Sequence, residues 1–184
     1  MSVEIEARVA ELLERVPPYI WDGKSLPVPV EHIVDSCYGL HVCEFDDLAG
    51  VPGAPPLIEG QSLSGLLLER EREIWVDRAE AREWPTRRRF TISHELGHWE
   101  MHRTGFGGTE IFCRAAVIEP PEESQERPPL PEAEAEANAF AAALLMPPDL
   151  MRKHYPAHKG DFQAMCRLFD VSMAAMGRRM HRVI

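Results

Sequence analysis

No apolar run in this chain approaches the roughly 20 residues that a membrane-spanning helix requires. The opening residues, Met1-Ser2-Val3-Glu4-Ile5-Glu6, lack the basic and apolar regions of a secretory leader, so the expected location is the cytoplasm. Cysteine is scarce. Cys37, Cys43, Cys113 and Cys166 are scattered without CxxC spacing, which argues against a disulfide framework and against a cysteine-held zinc. Most of these thiols are expected to be buried. Cationic residues are outnumbered, 20 Lys and Arg against 30 Asp and Glu, and the net charge of -10 disfavours nonspecific binding to nucleic acid or acidic membranes. A protein is therefore a more plausible substrate than a polyanion. There is no internal repeat. What remains is a chain of 184 residues, enough for one compact domain with a real core and a small appendage.

The apolar pattern divides the chain into segments. Val3, Ile5, Val9, Leu12, Leu13 and Val16 recur at a helical period over residues 3–16, and Pro17-Pro18 ends that helix. A second helix is expected at about 28–38, before Gly39. Leu40 to Phe45, Leu63 to Leu68 and Glu73 to Val76 read as strands, the last two joined by the charged turn Glu69-Arg70-Glu71-Arg72. Pro52, Gly53, Pro55 and Pro56 mark a loop. A long helix spans about 87–103 and ends in a stretch containing Gly105, Gly107 and Gly108. Residues 119–131 hold five prolines and several glutamates, the composition of an exposed loop. Ala133, Ala137, Phe140, Ala141, Leu144 and Leu145 pattern the next helix up to Met146-Pro147-Pro148, and residues 149–184 read as two or three short helices.

The chemistry sits in His94-Glu95-Leu96-Gly97-His98. Histidines at i and i+4 of a helix share a face and point at one ion, while Glu95 stands where a carboxylate takes a proton from water held by that ion. Ser93 is read as an N-cap or first-turn residue, and Phe90, Ile92, Leu96 and Trp99 as the apolar side. A catalytic zinc usually takes three protein ligands. His102 lies along the same helix, too far along to join the first pair, and is read as a packed histidine or one that supports a ligand. The metzincin spacing fails, because Met101 and Thr104 occupy the positions that would need glycine and histidine. The third donor is sought among Glu132, Glu134 and Glu136, between which periodicity alone does not choose. Glu134 is favoured because Asn138, one turn on, can orient a ligating imidazole. Glu132 and Glu136 are read as solvated first-turn residues.

Arg88 through His98, followed by Glu134 through Pro147, resembles the ImmA/IrrE metallopeptidases, gluzincin-like HExxH zinc peptidases. The shared features are a phenylalanine-led start to the HExxH helix and a Glu-x-x-Ala-Asn-x-Phe-Ala helix running into Leu-Leu-Met-Pro. Weaker likeness extends through Val28 to Ile33, Ile74 to Asp77 and Leu168 to Ser172. The resemblance implies an α+β fold, with a small three-stranded sheet on a zincin-like helical core over 1–148 and a helical subdomain over 149–184. It implies that His94, His98 and Glu134 bind zinc, with manganese as the alternative ion, and that Glu95 is the catalytic base. It also implies a cytoplasmic endopeptidase cutting a helix-turn-helix repressor of stress-response or mobile-element genes. The alternative is a non-catalytic antirepressor that sequesters the repressor.

Three further expectations complete the reading. His154, Tyr155 and His158 are candidates to stabilise an oxyanion. The Glu73 to Val76 strand is the expected edge for an extended substrate. Phe162, Met165 and Leu168, the break at Asp170-Val171-Ser172, and Met173 to Met180 resemble a helix-turn-helix, with Arg178, Arg179, His181 and Arg182 adding positive charge. The acidity of the whole favours a structural or partner-docking role for these helices over direct contact with DNA. Cys113 is read as a buried thiol rather than an inhibitory ligand or redox sensor.

Overall fold

The computed structural model describes residues 2–52, 54, 57, 61–103, 111–117 and 131–184. The glycines at 105, 107 and 108, the proline–glutamate segment at 119–130, part of the 52–56 loop and the side chain of Cys113 lie outside the described residues.

Helices α1 (Ser2–Arg15) and α2 (Val30–Tyr38) lead into β1 (His41–Phe45), β2 (Gln61–Leu68) and β3 (Glu73–Asp77). Helices α3 (Arg78–Glu83) and α4 (Pro85–Met101), β4 (Ile111–Val117) and α5 (Glu132–Leu145) follow. The chain ends with α6 (Pro148–His154), a 3-10 turn, α7 (Phe162–Phe169) and α8 (Met173–Val183). The protein is α+β. The three expected strands are present, and β4 adds a fourth, in the order β1-β3-β2-β4. β1 and β3 run parallel, while β2 is antiparallel to both β3 and β4. β3 is thus an interior strand, which overturns its reading as a substrate-binding edge, because β1 and β2 occupy its two hydrogen-bonding sides. β4 is an edge among the described residues.

The two sheet faces are separated by side-chain alternation. Leu67, Ile74 and Val76 join the main core with Ile92 and Leu96 of α4, whereas Leu66 and Trp75 face Leu48 across the other side. A register irregularity between Leu63 and Gly65 inserts one extra residue into β2. It puts Leu63 on the same outer face as Leu66, although simple alternation would place them on opposite faces, and leaves Gly65 towards α4.

Every residue of α4 from Thr91 to Trp99 is buried, because the sheet covers one side and α5 the other. The two helices cross closely at Gly97. A Cβ there would lie 3.2 Å from the Ala137 Cα and 3.2 Å from Phe140, so small residues set the spacing between the helices. Phe140 and Leu144 are fully buried beside this crossing, each stabilising the fold by about 1.5–3 kcal/mol. Ser93 is neither a cap nor a first-turn residue. Pro85 begins the helix two turns earlier, and Ser93 Oγ donates to the Arg89 carbonyl at 2.9 Å.

Met165, Phe169, Val171 and Met176 of the C-terminal helices belong to the same apolar cluster as Ile5, Val9 and Leu12 of α1. Arg179 is buried, donates from Nε to the Met146 carbonyl at 3.1 Å and pairs through both terminal nitrogens with Glu6. One of the three arginines of α8 is therefore used inside the fold. α7 and α8 are joined through Asp170, in the left-handed region at φ 51°, and Ser172 caps α8 by accepting from Ala175 N at 3.2 Å. Of the described cysteines only Cys166 is buried. Cys43, on the edge strand β1, is half-buried and Cys37, near the end of α2, is exposed, so the expectation of mostly buried thiols fails among the described residues. Among the described residues no helix is long and apolar enough to cross a membrane.

Candidate metal centre

α4 and α5 bring His94, His98 and Glu134 together at their crossing. The two Nε2 atoms are 3.0 Å apart, and Glu134 places Oε2 3.3 Å from His94 Nε2 and Oε1 3.1 Å from His98 Nε2. Both histidines are fully buried and Glu134 is half-buried. Glu132, by contrast, is exposed. Burial pushes the Glu134 carboxyl up, but hydrogen bonds and charge from His94 and His98 outweigh it and hold the group at about 2. Glu134 is an anion throughout the physiological range.

The far sides of the rings offer partners for the tautomers that ligation needs. His94 Nδ1 lies 3.2 Å from Asn138 Oδ1, an acceptor, so Nδ1 carries the proton and Nε2 offers a lone pair. His98 is set by a longer chain. Glu136 Oε2 accepts from His102 Nε2 at 2.9 Å, which leaves His102 Nδ1 to accept from His98 Nδ1 at 3.0 Å. His98 Nε2 is then also a lone pair. In those tautomers two lone pairs and a carboxylate converge, a donor set that a divalent cation fits, and a proton moved to Nε2 lets each ring donate to Glu134 instead. A tetrahedral zinc with donors at about 2.0–2.2 Å separates them by about 3.3–3.5 Å, close to the spacings here. The donors fit zinc, and three protein ligands leave a position for water.

Glu136 is the residue that the sequence reading missed. It is half-buried and bonded to His102, not solvated, because α5 crosses α4 at an angle that brings both into register. Glu136→Gln removes the negative charge on which the His102–His98 chain rests, and is expected to weaken metal binding by about 10–100-fold in chelator competition. Unchanged affinity would remove Glu136 from the site.

Glu95 is fully buried beside this cluster, against β2. A Cβ on Gly65 would lie 2.4 Å from Thr91 Cγ2 and 3.0 Å from Glu95 Oε1, so the strand approaches the carboxylate only because residue 65 has no side chain. Gly65→Ala is expected to displace Glu95 and slow turnover by on the order of 10–100-fold while metal content holds. Loss of metal together with activity would show a wider collapse.

His154, Tyr155 and His158 are not brought to the cluster by any hydrogen bond or ion pair among the described residues. His154 packs edge-on to Phe169, ring centroids 6.5 Å apart, and burial lowers its pKa first, with Lys153 and His158 adding to the shift. Tyr155 packs against the main core.

Residues 72–181 match the model of the Peptidase_M78 family, described as the IrrE N-terminal-like domain, a span of more than half the chain that contains both α4 and α5. No curated protein matches the chain.

Proposed function

The chain belongs to the Peptidase_M78 family, and from that premise we propose that it is a metal-dependent endopeptidase that cuts a helix-turn-helix transcriptional repressor in the cytoplasm. Cleavage would release stress-response or mobile-element genes. The observation that carries the reading is the convergence of His94, His98 and Glu134 beside a buried Glu95.

His94 and His98 present lone pairs held in place by Asn138 and by the His102–Glu136 chain, and Glu134 adds the negative charge. A bound zinc, or manganese in its place, supplies the Lewis acidity that makes water acidic near neutral pH and polarises a carbonyl. Glu95 takes the proton of the attacking water on its carboxylate and passes it to the leaving amine. β4, paired on one side with the strand that carries Gly65 and an edge among the described residues, would receive an extended substrate by strand addition. Residues 149–184 serve as a helical subdomain that docks partners.

The test is incubation of the purified, zinc-loaded protein with helix-turn-helix repressors encoded near its gene. Discrete fragments by mass spectrometry, abolished by a chelator, are expected. Intact repressors, with repression still relieved in cells by Glu95→Gln, would favour the antirepressor.

A further inference from the structure

Two adjoining hollows lie along α8. The larger, about 450 Å³, is walled by α1, α4, α5 and α8. The smaller, about 320 Å³, extends it towards Trp84 and Ser172, and Phe90, Ala175 and Arg178 line both. The floor is Phe90 with the small side chains of Ala135, Ala139 and Ala142, so the trough accepts apolar side chains.

Its rim is cationic. Arg178 and Arg182 stand one turn apart on α8 and both are exposed. Among the described residues neither makes an ion pair or hydrogen bond. Arg87, Arg88, Arg89 and Arg179, by contrast, each hold a carboxylate. Among the described residues the one carboxylate lining the larger hollow, Glu6, is already bound to Arg179. Two guanidiniums without a partner among the described residues, over an alanine trough, favour an anionic occupant with apolar contacts. Trp84, nearly half exposed, closes the far end with the residue type most enriched in binding hot spots.

We propose that this groove docks an acidic, leucine-like segment of the protein substrate, outside the active site. The proposal rests on the endopeptidase reading. Asn138 lines the groove and also holds His94, so the docked segment lies one side chain away from the metal ligands. Two joined hollows suit a length of peptide. They do not suit duplex DNA, whose major groove is read by a protruding helix. Here the side of α8 that carries Arg178 and Arg182 is flanked by α1, α4 and α5.

The test uses zinc-loaded Glu95→Gln protein, which binds without cutting, and fluorescence anisotropy. The probe is a short labelled peptide of alternating leucine and glutamate, with the leucine–lysine peptide and a labelled DNA duplex as comparisons. Binding of the glutamate peptide is expected to weaken by about tenfold or more in Arg178→Glu/Arg182→Glu, less in Arg178→Gln/Arg182→Gln, and with added salt. Both positions are exposed, and metal content verifies that each variant is folded. Equal binding by the variants, preference for the lysine peptide, or charge-dependent binding of the duplex in place of the peptide would overturn the proposal. Weak peptide binding with repressor cleavage intact rejects the docking site alone. Charge-dependent peptide binding with no cleavage by wild-type protein rejects the peptidase alone.

Discussion

Glu95→Gln is expected to slow peptide-bond cleavage by about 10²–10⁴-fold while leaving metal content unchanged. The glutamine is isosteric and fits the buried space against Gly65 and Thr91, so packing changes little. What it loses is the ability to take a proton. Glu95 is outside the ligand set of His94, His98 and Glu134, and its replacement should not empty the site. The two readouts must separate. Cleavage at the wild-type rate would show that Glu95 is not the base, and loss of metal would show that it is a ligand.

Glu134→Ala is expected to have the opposite signature, in which metal and activity disappear together. Zinc sites with four protein ligands bind with apparent free energies of about 10–16 kcal/mol at neutral pH, so one ligand is worth on the order of 10²–10³-fold in affinity. Glu134 should stand at or above that figure, because it supplies the charge that compensates a divalent ion between two neutral imidazoles. Chelator competition reads the loss directly. An affinity within a few-fold of wild type would give the third position to another donor.

How much of this was legible in the sequence follows from the range of each interaction. His94 and His98 are i and i+4 on one helix, so their convergence is local and was readable. Glu134 was favoured through Asn138 on its own helix, and the structure places both beside the histidines. Glu136 was misread because its partner, His102, lies on another helix. Only the close crossing at Gly97 and Ala137 brings them together, and periodicity holds no information about a crossing angle. The interior position of β3 was lost for the same reason, since strand order depends on pairings between distant segments. β4 lacks clean alternation and gave no signal. α3 did carry one: Asp77 and Glu80 have capping-box spacing, and Asp77 Oδ1 accepts from Glu80 N at 2.7 Å. The bulge in β2 that turns Gly65 towards Glu95 has no local signature beyond the glycine itself.

A metal held between α4 and α5 is tested most directly by elemental analysis of purified wild-type, His94→Ala, Glu134→Ala and Glu95→Gln proteins. About one zinc per chain is expected in the wild type and in Glu95→Gln, and none in the other two. A wild type that stays metal-free when offered zinc or manganese would contradict a metal site there.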